Sequence, residues 1–470
     1  MFETFQQAKE FFRAEGVRMV DIKWCGLRGS WQHVTLATGA FTPELMQSGV
    51  GFDGSSAGLK PVNAGDMALI PDLGSAFIDP FYSDKTISFI ADIVEAESKT
   101  PFRDDPRFIA RRAEEASRAS GLADESRWGP EYEFFVFSSA RVANSTYESA
   151  YRFASAEQPA SKGSHGFSVA SHSGYHAAPP ADQLADFRNQ VCLTLEGMGI
   201  FVKYHHHEGG GAGHCEIEVP LMGMLRAADV SMAVKYAVRN CAARMGLSAV
   251  FLPKPLFGEA GCGMHHHQLM LKGGKNVFYD GKSDLLLSSV ALSYIGGLLE
   301  HAPALTALTN PSSNSYRRLI PGFEAPVNCY FGRGDRGAAV RVPQYATTEN
   351  EVRVEYRPPD ATCNPYLAQA AMLLAGLDGM QKKIDPAKAG FGPFEGDVFS
   401  WPEEKRAAMK RLPGSLEGAA KALEADRKFL TQVGVFDKDF LNTWNMMLWK
   451  DAAEVEARPH PYEIQKYFSQ

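Results

Sequence analysis

An α+β protein in two parts is predicted from three observations. Strand-like runs and one amphipathic segment fill the first hundred residues. A polar, proline-punctuated stretch from Pro101 to Pro106 then interrupts the chain. Beyond it, helix-period segments alternate with strand-like ones. With 470 residues, 45% of them hydrophobic and 22% charged, the chain can bury large cores without disulfide staples.

The elements follow in order. MFETFQQAKEFFRAEG, residues 1–16, carries charges throughout and has no apolar h-region, so an amphipathic helix is expected here and not a signal peptide. Met19 to Lys23 and Trp31 to Leu36 read as strands joined by a turn at Gly26 and Gly29. GFDGSSAGLK, residues 51–60, is too rich in Gly and Ser for a regular element and reads as a loop. Thr86 to Val94 is a further strand. Residues 184–198 place Leu184, Phe187, Val191, Leu195 and Met198 at helical spacing, with Gly197 and Gly199 as the stop. Leu285 to Leu308 is the most apolar long stretch, but its polar interruptions fit one buried core helix better than a membrane span. Leu416 to Leu430 repeats the helical period. No internal repeat or low-complexity tract is present.

Bulk properties exclude some functions. The net charge of −7 argues against a broad nucleic-acid footprint. Seven cysteines, an odd number with no CxxC pair, imply free thiols in a reducing compartment, the cytoplasm.

Chemistry is suggested by strands that carry acids and bases at i and i+2, which share a face. Glu131 and Glu133 do so ahead of Phe135 and Phe137. Glu216 and Glu218 form a second acid pair. His265 and His267 point together, as do Arg353, Glu355 and Arg357. Converging like charges repel, by about 4 kcal/mol per pair at 4 Å and an effective dielectric of 20. A cation would offset that repulsion, and an oxygen-rich donor set favours Mg²⁺ or Mn²⁺ over Zn²⁺. Gly-rich turns flank these strands, between Glu208 and Glu216 and at Gly261 and Gly263, where a backbone can approach a ligand closely. Neither is a Walker A nor a GxGxxG motif. Arg317 to Pro343 adds Arg317, Arg318, Arg333, Arg336 and Arg341 around a loop that holds Glu324. Guanidinium forks at this density suit phosphates and carboxylates. The residues alone therefore point to a divalent-metal phosphoryl-transfer enzyme of unspecified substrate.

The motifs go further. FDGSS (52–56), DPF (79–81), GPEYEFF (129–135), HHHE (205–208), PKPLFG (253–258), GMHHH (263–267), NSYRRLIPGFEAP (314–326), RVEYRPPD (353–360) and NPYLAQA (364–370) resemble those of the type I glutamine synthetases, in the same order and spacing. The resemblance spans the chain. It implies a β-grasp domain over residues 1–103 and a catalytic domain over 104–470, with a curved antiparallel sheet flanked by helices. It also implies a homo-dodecamer of two stacked hexameric rings, with active sites between neighbouring subunits. The implied reaction joins ammonium to the side-chain carboxylate of L-glutamate, using ATP and passing through γ-glutamyl phosphate. By the same resemblance, Glu133, Glu208 and Glu216 hold one metal ion and Glu131, His265 and Glu355 another, with two ions per site, or three. Gly261, Arg318 and Arg357 bind glutamate. His267, Arg336, Arg341 and Arg353 serve the nucleotide, Arg336 also serving the transferring phosphoryl group. Glu324 closes over the site. Asp53 takes the ammonium proton in the adjacent subunit's site.

Departures from the family pattern are Ala260 for Asn beside Gly261, Cys262 for Ser, and Lys203, Leu269 and Asn350 for Glu, Ser and Lys. DVFSWPEE at 397–404 lacks the family's tyrosine, so control by adenylylation of that residue is not expected. Competing readings are a γ-glutamyl amide ligase using methylamine or another amine, a non-catalytic structural or regulatory homologue, and a metal-dependent hydrolase. The six metal-ligand positions speak against the second, the arginines and FDGSS against the third.

Overall fold

The computed structural model describes residues 1–159, 166–396 and 398–470. The N-terminal amphipathic helix forms over Phe5–Glu15. Thr4 and Gln7 make a capping box at its start, and Gly16 ends it with φ 64°. Its buried face, Ala8 and Phe12, covers a five-stranded sheet built from β1 (Met19–Cys25), β2 (Trp31–Ala37), β3 (Val50–Asp53), β4 (Asp66–Asp79) and β5 (Thr86–Glu95). The order is β2-β1-β5-β4-β3, with β1 and β5 parallel. The start of the expected 51–60 loop is thus a strand: Val50 to Asp53 pairs along β4, and the glycine-rich turns begin only at Gly54.

Buried charge fastens this sheet to the rest. Arg107, on helix Pro106–Ala119, binds Asp72 and Asp92 of the sheet and Asp229 of helix Met224–Arg244. Lys23 sits between Asp21 and Asp79, 4.6 Å from the ring centroid of Tyr236 on the same long helix.

The second sheet has ten strands. Its spine is β6 (Glu125–Phe137), followed in the chain by the separate hairpin β7 (Ser139–Asn144) and β8 (Ser149–Ala154). The sheet continues with β9 (Tyr204–His207), β10 (His214–Glu218), β11 (Met222–Gly223), β12 (Ser248–Val250), β13 (His266–Lys272), β14 (Lys275–Asn276), β15 (Phe331–Arg333), β16 (Val340–Val342) and β17 (Val354–Tyr356). The path β15-β16-β17-β13-β6-β10-β9 is antiparallel, as expected, except for one parallel pair, β15 and β16, at its end. On β6, Trp128, Tyr132, Phe134 and Val136 face the main hydrophobic core, which also takes in Met224, Ala228, Leu298 and Leu373 from the covering helices. Glu131 and Glu133 therefore face the other way.

Two expected helices are each broken in two. Leu285 to Leu308 forms Ser289–Glu300 and Ala302–Thr309, both buried. Pro303 has no N–H for a continuous helix. The hinge residue His301 turns its ring between Asp378 (2.9 Å) and Asp426 (2.7 Å). Leu416 to Leu430 forms Leu416–Ala425 and Lys428–Thr431, and the break falls at the same Asp426. The helix predicted over 184–198 is present as Ala185–Gly197. All seven cysteines are free thiols.

Candidate active site

Alternation along four neighbouring strands assembles one polar cavity of about 480 Å³. In the ladder, Glu133 stands opposite Glu216 and Glu131 opposite Glu218. On the other flank His267 stands opposite Glu355. Each acid projects from the face opposite to that of its strand neighbours Tyr132, Ile217 and Val354, which are buried in the main core.

Two close groups result. Glu131, His267 and Glu355 bring one ligand atom each within 4.8 Å of one another, and so do His206, Glu208 and Glu216. His267 Nε2 donates to Glu131 Oε1 at 2.7 Å, while its Nδ1 accepts from Arg353 Nε at 3.2 Å. His265 takes the opposite tautomer: Nδ1 donates to Glu131 Oε2 at 3.0 Å, and Nε2 accepts from Arg318 at 3.2 Å. His265 Nδ1 also lies 3.5 Å from Glu133 and 3.9 Å from Glu355. Glu133 accepts the Gly263 N–H at 2.8 Å. Glu355 is fully buried between the guanidinium groups of Arg341 and Arg357.

Electrostatics divide these acids. Burial pushes the Glu216 carboxyl well above the usual range, and Glu131, Glu208 and Glu133 add to the effect. Burial likewise raises Glu133 in spite of His265. For Glu131 burial is outweighed by His267 and His265, and its carboxyl lies well below the usual range. For Glu355 burial is outweighed first by Arg357, and the carboxyl falls to about 2. Carboxylates and imidazoles without a thiolate are a donor set that fits hard divalent cations, and burial of such an acid row is favourable only with positive charge inside it. The residues present therefore fit Mg²⁺ or Mn²⁺.

Around the acids stand the arginines and a loop. Arg318, Arg336, Arg341 and Arg357 line the cavity together with Gly261, Ala260 and Glu324. Arg318 is held by the carbonyls of Pro358 (2.7 Å) and Arg357 (3.1 Å). A Cβ on Gly261 would lie 2.4 Å from Pro253 O and 2.8 Å from Arg318 Cγ, which is why glycine occupies this wall. Glu324 adopts φ 53°, a strained conformation for a non-glycine residue in the loop expected to close.

The structure thus brings together every expected site residue but one within this subunit, although His267 and Arg353 do not line the cavity and join it through Glu131, which His267 contacts, and through His267, which Arg353 contacts. Asp53 does not line the cavity. It is exposed at the end of β3, its carboxylate accepting from Ser55 N (2.9 Å), Ser55 Oγ (2.7 Å) and Ser56 Oγ (2.5 Å), bonds that lower it to about 2. Residues not singled out individually from sequence are His206, which takes the place expected for Glu133 beside Glu208 and Glu216, and the aromatic lining, Tyr175, Tyr204, Phe323 and Tyr345. The HHHE run flagged His206; Tyr175 gave no signal.

Comparison with known proteins decides the family. The model of the glutamine synthetase catalytic domain matches residues 103–467, and that of the glutamine synthetase β-grasp domain matches residues 16–96. The glutamine synthetase of Streptomyces coelicolor is 42% identical over 477 residues, covering 100% of both chains. The chain belongs to the glutamine synthetase family. A glutamine synthetase of Nostoc sp. is 40% identical over 99% of both chains. Among solved structures, Plasmodium falciparum glutamine synthetase shares the fold, with a TM-score of 0.90, 24% identity and 99% coverage of both chains. A GmaS/ADP complex superposes with a TM-score of 0.81 at 26% identity, over 98% of this chain and 99% of that one.

The departures from the glutamine synthetase pattern now have places. Ala260 lines the cavity next to Gly261. Lys203 binds Glu218 at 2.7 Å. Leu269 is buried in β13, and Asn350 is exposed. Of DVFSWPEE, Asp397 lies outside the described residues, and Val398–Ser400 forms a short 3₁₀ turn.

Proposed function

We propose that this chain is a glutamate–ammonia ligase that converts L-glutamate, ammonia and ATP to L-glutamine, ADP and phosphate through γ-glutamyl phosphate. The observation that carries this reading is the convergence of two acid–histidine groups and four arginines around one cavity in a member of the glutamine synthetase family.

The roles are as follows. Glu133, Glu208 and Glu216, with His206 beside them, would hold one divalent ion. Glu131, His265 and Glu355, with His267 beside them, would hold the other. Such ions, Mg²⁺ or Mn²⁺, supply positive charge to the phosphoryl oxygens. Gly261, Arg318 and Arg357 position glutamate, the guanidinium forks matching its carboxylates. Arg336 and Arg341 hold the nucleotide phosphates and the transferring group, with Arg353 and His267 backing that wall. The glutamate side-chain carboxylate attacks the γ-phosphorus, and ADP leaves. Ammonia then displaces phosphate from the acyl phosphate. Asp53 of a neighbouring subunit takes the ammonium proton. Closure of the Glu324 loop keeps water from the acyl phosphate.

A homo-dodecamer of two hexameric rings is proposed with this reading. It is supported by the exposure of Asp53 and by apolar side chains at the surface: Tyr462, Ile464, Tyr467 and Phe468 on the C-terminal helix, and Val142, Tyr147 and Tyr151 on the β7–β8 hairpin. A domain boundary between 103 and 104 is proposed with the same reading. A cytoplasmic location is proposed from the seven free thiols. Among the described residues no helix is long and apolar enough to cross a membrane.

The test is ATP-dependent phosphate release with glutamate and a panel of amines, in Mg²⁺ or Mn²⁺. Ammonia is expected to be the best acceptor. Absence of glutamate-dependent turnover with every amine would refute the ligase reading. Preference for an alkylamine would make the chain a γ-glutamyl amide ligase.

A further inference from the structure

One acid of the cavity row is not used by the proposed reaction. Glu216 and Glu218 share a strand face, and among the described residues only Glu216 enters a metal-like group. Glu218 stands directly opposite Glu131 in the β10–β6 ladder, so both side chains leave the sheet on the same side. It is only 3% exposed. Oε1 accepts from Lys203 Nζ at 2.7 Å, and Oε2 is buried with no hydrogen-bond partner among the described residues.

Two like charges directly opposite in a ladder destabilise it, and a buried carboxylate needs a counter-charge. The five carboxylates proposed above as metal ligands meet their counter-charge in two divalent cations and in Arg341 and Arg357, which clamp Glu355. Glu218 lies outside that balance. Its counter-charge is Lys203, whose backbone N–H donates to the Glu218 carbonyl at 2.8 Å. The ammonium lies 4.8 Å from the ring centroid of Tyr204, which lines the cavity. We propose that Lys203 is a resident cation, filling the place beside Glu218 and Glu131 that a third divalent ion would otherwise take. The site then holds two metal ions and one lysine. Glu218 Oε2, already without a partner, is the ligand atom that stands free for an ion once the lysine charge is removed.

This proposal rests on the two-ion reading above, and the test separates them. Mn²⁺ binding to the full-length protein is titrated by electron paramagnetic resonance, with no turnover required. The parent is expected to bind two ions per chain. Lys203→Met is expected to bind a third, with a dissociation constant of roughly 10⁻⁴–10⁻³ M, typical of a weak oxygen site. Lys203→Met combined with Glu218→Gln should return to two, and Lys203→Arg should stay at two. Should Lys203→Met not fold, Lys203→Gln removes the same charge and keeps a donor for Glu218; it too is expected to bind three. Two ions in a folded Lys203→Met or Lys203→Gln protein, or three in the parent, would overturn the role of the lysine. No Mn²⁺ binding by the parent would overturn the two-ion reading itself.

Discussion

Replacing Glu355 by Gln removes one charge and leaves the side chain's shape intact. Glu355 is fully buried, clamped by Arg341 and Arg357, and its carboxyl is lowered from 4.5 to about 2. At 1.36 kcal/mol per pKa unit, the ionised form gains about 3 kcal/mol from its surroundings in the folded state. Because the folded pKa is depressed, this stability is fully present above pH 4.5 and is lost only as the pH falls towards 2. The variant should therefore be destabilised by a constant amount between pH 5 and 8. An unfolding entropy of about 2.1 cal/mol/K per residue amounts to roughly 1 kcal/mol/K over the chain, so the melting temperature should drop by about 3 °C. Turnover should fall much further, by at least about 100-fold, because Glu355 also stands in the group that would hold a metal ion. Differential scanning fluorimetry at pH 5, 7 and 8 and phosphate release read the two effects separately. Near-normal turnover with a lowered melting temperature would leave Glu355 as a structural counter-ion only. Unchanged stability at all three pH values would refute the electrostatic argument.

Three further outcomes are expected. Gly261→Ala should reduce kcat/KM for glutamate by on the order of 100-fold and also destabilise the fold by roughly 1–3 kcal/mol, because the new Cβ meets the backbone oxygen of Pro253 and Arg318 Cγ too closely for either to stay in place; steady-state kinetics beside a thermal melt would check both. Asp105, buried at the start of helix Pro106–Ala119, is raised to about 7 by burial and then by Asp92. A raised carboxyl favours the protonated folded state, so the parent should lose stability as the pH rises from about 4 to 7. Asp105→Asn, which keeps a capping oxygen, should flatten that decline in melts across the same range. Incubation with a type I adenylyltransferase and ATP should leave the intact mass unchanged, since the 397–404 segment has no tyrosine; a stoichiometric AMP adduct there would contradict this.

Much of the site was legible because strand geometry is a period of two. The i, i+2 pairs at Glu131/Glu133 and Arg353/Glu355/Arg357 needed no tertiary knowledge to be placed on one face. What the sequence could not reveal depends on partners far along the chain. The break at His301 has a local mark, Pro303, but the carboxylates that hold the ring come from Asp378 and Asp426. The same Asp426 splits the helix expected over 416–430. The parallel β15–β16 pair is three residues long, too short to leave a pattern. Tyr175 reaches the cavity from a segment without regular structure, so no periodicity announces it.

The register of the acids is fixed from the opposite face of the sheet. A slip of one residue in β10 would exchange Glu216 and Glu218 for Cys215, Ile217 and Val219, all of them buried in the main core. Each large apolar side chain so displaced would forfeit about 1.5–3 kcal/mol of burial. The converging carboxylates oppose that register as long as their charge is unbalanced, since Glu131, Glu133, Glu208 and Glu216 repel one another. Burial of Tyr132, Phe134, Ile217 and Val354 therefore holds a polar array that would not assemble by its own interactions. The same reasoning explains why the counter-charges are distributed as they are. Arg341 and Arg357 flank Glu355, two imidazoles sit on Glu131, and Lys203 takes Glu218. Burial raises the carboxyls of Glu133 and Glu216, in the middle of the row, and that of Glu218 in spite of Lys203; Glu133 and Glu216 have no Lys or Arg ion pair among the described residues, so added positive charge does most there to stabilise the fold.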